Sequence, residues 1–164
     1  MYKVGDFVIN KMNVCKIIDY KNDYLNNKDY YILVPVDDES LKIKLPVNDN
    51  QLRNLISKKE LENIIDSIPN IEPLSCEERH IENEYKNLFS QGTHEALIKI
   101  IKTTFLRNKI RLDNKKKISE IDNTYFIKAE RCLYTEFSIV LNTSYEETKQ
   151  YVIDKVSNSI KEQL

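Results

Sequence analysis

The chain contains no tryptophan and only two glycines, Gly5 and Gly92, among its 164 residues. So little glycine leaves no room for a Gly-rich phosphate loop. Cys15, Cys76 and Cys132 are odd in number, far apart and never in a CxxC spacing. That argues against a disulfide framework or a zinc site, and each is expected to be a small buried or half-buried apolar residue. There are two histidines, His80 and His94, both expected to be polar surface residues. No carboxylates stand at ligand spacing, so neither a metal nor a cofactor is expected. No GxSxG, HExxH or Cys/His pairing occurs either, which points to a non-catalytic protein. No apolar run approaches the roughly 18–20 residues that span a bilayer. The opening Met1–Asp6 has no apolar segment of the signal-peptide kind, so the expected setting is the cytoplasm, away from membranes.

What is present suits folded structure. Hydrophobic residues make up 41% and charged residues 31%, which excludes a wholly disordered chain. The net charge of −1 hides an uneven distribution. Residues 99–117 carry eight basic side chains (Lys99, Lys102, Arg107, Lys109, Arg111, Lys115, Lys116 and Lys117) against one acidic residue, Asp113. The flanking stretches are net acidic. A basic run of this density suits phosphate or an acidic protein. Lys99, Lys102 and Lys109 are spaced to lie opposite an apolar stripe of Leu97, Ile101 and Phe105.

The first 46 residues have the character of strands. Phe7–Ile9, Val14–Tyr20 and Tyr30–Val34 are rich in β-branched and aromatic residues, and Leu41–Leu45 alternates apolar with charged. Turns are expected at Asp23–Asn27 and Asp37–Ser40. Such short, close strands imply a small curled antiparallel sheet or barrel. Ser57-Lys58-Lys59-Glu60 is a capping box that opens a helix carrying Leu61, Ile64 and Ile65. Pro69 and Pro73 then disfavour regular structure, so the boundary is expected there, giving domains 1–70 and 71–164.

Beyond Cys76 the periodicity is helical. Glu77, Glu78, Glu82 and Glu84 suit a solvated helix start. Gly92 is placed to end that helix in a left-handed conformation. Leu97, Ile100, Ile101, Thr104 and Phe105 form one predicted core stripe, and Phe126, Ala129, Leu133, Phe137 and Val140 another. Ser144–Glu147 is a second capping box, opening a helix with Val152, Val156 and Ile160 on one side. The fold class is therefore α+β, a small β module followed by a compact all-α domain.

The order of these elements resembles the CarD/CdnL family of bacterial transcription regulators. The residues that carry the likeness are Lys3-Val4-Gly5-Asp6-Phe7-Val8, Tyr30–Leu33 and Leu41–Val47, then Leu106–Lys109 and Lys128–Phe137 in the second half. The resemblance implies a Tudor/SH3-like β module that binds the lobe of the RNA polymerase β subunit. It further implies a helical domain that touches promoter DNA, mainly without sequence readout, at the upstream edge of the melted region. Such a protein shifts open-complex stability by binding alone, here as an expected monomer. The family's polymerase-binding positions fall on Lys21 and Lys44. The DNA candidates are Lys99, Lys102, Arg107, Lys109, Lys115, Lys116, Lys117, Lys128 and Arg131. The family's tryptophan wedge has no counterpart, since Cys76-Glu77-Glu78-Arg79-His80 stands in its place. Glycines expected at the turn after the first strand are replaced by Met12-Asn13-Val14-Cys15. The alternative is a polymerase-tethered protein–protein adaptor without direct DNA binding. A small nuclease or other hydrolase lacks the metal or nucleophile set it would need.

Overall fold

The computed structural model describes residues 1–162. Among them are five antiparallel strands and five α-helices, an α+β composition. The strands lie in one compact unit, Met1–Ile56, and the helices in a second that begins at Ser57.

The strands are β1 (Phe7–Asn10), β2 (Asn13–Leu25), β3 (Lys28–Pro35), β4 (Ile43–Pro46) and β5 (Leu52–Arg53), in sheet order β4-β3-β2-β1-β5. Register pairs Val8 with Cys15, Ile17 with Leu33 and Tyr31 with Leu45. Directly opposed residues share a face, so these six form one apolar cluster. Tyr2, Tyr20, Ile43, Val47 and Leu52 pack around it. Burial pushes the Cys15 thiol up to about 11, leaving it an inert packing residue.

The β2–β3 hairpin is longer than its sequence suggests. Strand β2 runs on to Leu25, and the turn narrows to Asn26-Asn27, at φ 51° and 57°. Asparagine tolerates this left-handed conformation. The polar stretch before it is an irregular part of the strand, with Asp23 at φ 46°. The Asp29 carboxylate holds that irregularity, accepting from Asp23 N at 3.1 Å and from the Tyr20 hydroxyl at 2.6 Å. Strand β5, two residues long, carries no sequence signature.

In the helical unit, α1 (Lys58–Ser67), α2 (Ile81–Gln91), α3 (His94–Asp113), α4 (Glu120–Leu141) and α5 (Tyr145–Glu162) follow in order. Single 3-10 turns occupy Ile68–Asn70 and Glu78–His80. Both capping boxes form. Glu60 N donates to Ser57 Oγ while Glu60 accepts from Ser57 N, and Ser144 and Glu147 repeat the exchange. Gly92 ends α2 at φ 65° as expected. Helices α3 and α4 form the most extensive helix pair.

Two expectations are corrected. The compact units divide between Ile56 and Ser57, not near residue 70. Helix α1 packs on α5 and α4 through buried Leu61 and Ile65, and Tyr151 of α5 donates to Glu62 at 2.6 Å. The proline-containing segment is therefore an internal corner of the helical unit. Cys76 is exposed, while Cys15 and Cys132 are buried.

The turn between β1 and β2 consists of Lys11 and Met12, at φ 48° and 73°. Two positive φ angles in a two-residue hairpin loop call for Asn or Gly; other L-residues cost about 1–2 kcal/mol there. Lys11 is exposed and Met12 is buried. Lys11→Gly should therefore stabilise the sheet unit by about 0.5–1 kcal/mol, measured as a raised urea midpoint at unchanged m-value. Met12→Gly should gain less or lose stability, because it also surrenders a buried side chain.

Candidate functional site

Three sets of charged residues account for the polar features of the two units. The first is on the sheet. Lys21 of β2 lies opposite Tyr30, and Lys44 of β4 lies opposite Ile32. Tyr30 and Ile32 are two residues apart on β3, so both lysines share the face away from the Tyr31/Leu33 cluster. Lys44 Nζ stands 4.8 Å from the Tyr24 ring centroid and donates to the Tyr24 hydroxyl. Tyr24 meets Tyr30 edge-on at 5.8 Å. Lys21 pairs with Asp19 at 2.8 Å, and that bond raises the lysine and lowers the aspartate relative to their usual values. The result is an exposed patch of two ammonium groups beside two tyrosine rings. It can meet a partner that is both acidic and apolar.

The second set is the basic run, which splits into residues that serve the fold and residues that face water. Lys102 and Arg107 serve the fold. Lys102 Nζ donates to the carbonyls of Ile68 and Ile71, and desolvation lowers its pKa. It thus closes the proline corner and is withdrawn from any phosphate contact. Phe105 of the predicted core stripe, which lines the same side of α3 as Lys102, is 59% exposed. The buried residues of α3 are Ala96, Leu97, Ile98, Ile100, Thr103 and Thr104. The two threonines satisfy their hydroxyls on the carbonyls four residues back, at 2.6 and 2.8 Å, so polar residues occupy the core side.

Arg107 extends that face. Its Nε reaches both carboxylate oxygens of fully buried Asp122, at 3.1 and 3.2 Å. The Tyr85 hydroxyl donates to the same carboxylate at 2.7 Å. Burial first, and this bond second, raise the Tyr85 phenol well above its usual range. Asp122 N is itself bonded to Ser119 Oγ, the N-cap of α4. Glu78 completes the surroundings, 3.8 Å from Arg107 and 3.4 Å from Arg111. Helices α2, α3 and α4 thus meet on one buried carboxylate.

Lys109 and Lys115–Lys117 are exposed at the end of α3 and on the turn into α4. Lys99 is half-buried. Lys128 and Arg131 are exposed on α4 one turn apart, with Lys128 Nζ 4.9 Å from the Phe89 ring. The candidates therefore form two exposed groups, one at the α3–α4 turn and one along α4.

The third set escaped sequence reasoning. His94 is a half-buried residue, not a surface one: its Nε2 lies 2.8 Å from a Glu136 carboxylate that is 2% exposed. The imidazole stacks on Phe137 at 6.0 Å. Glu136 breaks an otherwise apolar buried stretch on α4, the one sequence signal that a partner was required. Among the described residues no group of three His, Cys, Asp or Glu side chains is placed to hold a metal ion.

Removal of Arg107 leaves Asp122 buried with its cation gone, so Arg107→Ala should cost about 3–5 kcal/mol. Replacing Lys115–Lys117 together by alanine should change stability by no more than about 0.5 kcal/mol per site. Urea unfolding of both variants checks the division between fold-serving and exposed cations. No family model matches the chain and no curated protein matches it significantly, so any function rests on this chain's own residues.

Proposed function

We propose that this chain is a CarD/CdnL-type transcription regulator that tethers itself to the β-subunit lobe of RNA polymerase and contacts promoter DNA. In this reading the Met1–Ile56 unit is the Tudor-like polymerase-binding module. The observation that carries the reading is the placement of Lys21 and Lys44 on one exposed sheet face, beside Tyr24 and Tyr30. The α+β composition, with a five-stranded antiparallel sheet, supports the reading at the level of fold class alone.

DNA contact falls to Lys109 and Lys115–Lys117, with Lys128 and Arg131 on α4 as a second group. In this reading their contribution is electrostatic and mainly sequence-nonspecific. The effect on transcription is differential binding. A contact made to the open complex alone shifts the equilibrium by its own free energy, tenfold for about 1.4 kcal/mol. No bond is made or broken, and the protein acts as a cytoplasmic monomer.

One observation favours the adaptor reading. Two of the nine cationic candidates, Lys102 and Arg107, are occupied inside the fold, and Glu78 lies beside Arg107 and Arg111. The remaining cations then serve an acidic protein and not DNA.

Binding of the full chain to the isolated polymerase β lobe should weaken at least tenfold in the Lys21→Glu/Lys44→Glu variant. Absence of binding by the unmodified chain would withdraw the polymerase role. For DNA, the plot of log affinity against log salt should become shallower by about 2.7 when Lys115–Lys117 are replaced by alanine. Lys102→Met should leave that slope unchanged. No DNA retention even at low salt would select the adaptor.

A further inference from the structure

Two guanidinium groups converge on the carboxylate of Glu78. This residue opens the three-residue 3-10 turn before α2, and its side chain is 73% exposed. Arg107 reaches it from α3 at 3.8 Å, and Arg111, one turn further along α3, at 3.4 Å. The charges of the two arginines are matched differently. Arg107 is already paired with buried Asp122, whereas Arg111 meets Glu78. The neighbouring Glu77 is paired with Arg79 at 2.6 Å, so that pair adds no net charge.

Arg111 also belongs to the basic turn. Its Nε donates to Lys117 O at 2.9 Å, and its own carbonyl accepts from Lys116 N at 2.8 Å. Lys115 N donates to Leu112 O at 2.9 Å, with Lys115 at φ 56°. These bonds end α3 in a Schellman motif. The head of Arg111 and the lysines that follow it are thus held in one pinned turn.

Arginine forks aimed at a carboxylate are equally suited to a phosphate oxygen pair. An exposed ion pair of this kind is weakly held, so its carboxylate is a competitor and not a permanent part of the fold. We propose that Glu78 is an internal competitor of DNA phosphate. Its carboxylate closes an anion seat at Arg107 and Arg111 that would extend the Lys115–Lys117 contact by one backbone phosphate. The inference rests on the DNA reading of that turn and adds a restraint to it. With the seat closed, Arg111 releases no counterions on binding. The chain's own hold on DNA is thereby kept weak, and occupancy depends on the polymerase tether, which raises the local concentration of DNA.

The test is binding of the full chain to a short fluorescent DNA duplex of arbitrary sequence, followed by anisotropy between roughly 50 and 200 mM salt. Glu78→Gln keeps the size of the side chain and removes its charge. It should raise affinity at least threefold. It should also steepen the plot of log affinity against log salt by about 0.9, the value for one added phosphate contact. Glu77→Gln makes the same charge change one residue away and should leave the slope unchanged. Arg111→Gln, added to Glu78→Gln, should abolish the gain. Both glutamates are exposed, so neither single variant should move the urea midpoint. The proposal is overturned if Glu78→Gln leaves the slope unchanged, if Glu77→Gln steepens it equally, or if the gain survives the loss of Arg111. Binding by the unmodified chain with no change in Glu78→Gln sinks this inference and leaves the DNA reading standing. Binding by Glu78→Gln alone supports the closed seat, and binding by neither removes both.

Discussion

A buried carboxylate at the meeting point of three helices sets the terms for the helical unit. Asp122 is fully buried and ionisable, and such a group is tolerated only with a cation and further donors. Arg107 supplies the cation from α3, Tyr85 a hydroxyl from α2, and Ser119 a cap on α4's own first turn. Each helix is thereby fixed in rotation as well as position. Arg107 must face inward, so Ala96, Ile100 and Thr103, each three or four residues apart along the same side of α3, face inward with it. The orientation of every other basic residue on α3 follows from that choice.

This explains why local features of the fold were legible in the sequence and the face of α3 only in part, with Leu97, Ile100 and Thr104 buried as expected but Phe105 exposed. The capping boxes at Ser57 and Ser144, the left-handed Gly92 and the strands of the sheet depend on residues within a few positions of one another. The stripe of α3 depends on Asp122, fifteen residues beyond Arg107. Periodicity counts apolar residues, so it favoured Phe105 over Thr103 and Arg107. It could not see that Thr103 satisfies its hydroxyl within the helix, or that Arg107 has a buried partner. The same blindness assigned Lys102 to a solvated face. The proline corner failed for a related reason. Pro69 and Pro73 do interrupt helix, yet Lys102 ties the carbonyls of Ile68 and Ile71 back into the helical unit. Only strand β5 lacked any signal, being two residues long.

At the candidate sites the sequence could not tell committed from available charge. Lys21 and Lys44 share a face through strand pairing, whereas the alternation around Lys44 implied only that this side chain points outward. The basic run gave no hint that two of its members are spent on internal carbonyls and a carboxylate. The distinction matters because phosphate affinity counts only cations free to displace counterions. It also separates the effects of substitution. Cations inside the fold act on stability, whereas those at the α3–α4 turn are exposed to solvent.

The outward Phe105 is the complement of the inward Arg107. A helix side that turns threonines and an arginine toward its neighbour leaves some of its large apolar residues elsewhere. Here Phe105, Ile110 and Leu112 remain between 59% and 60% exposed. Burying such a side chain fully is worth about 1.5–3 kcal/mol, which folding of this unit leaves largely unrealised. Scattered exposed apolar residues are ordinary, whereas contiguous ones lining a trough are associated with binding. Phe105 and Phe126 line two adjoining apolar depressions of the helical unit, one beside α5 and one at the α3–α4 turn. The inward Arg107 bound to the buried carboxylate and the outward Phe105 are therefore two consequences of one orientation of α3.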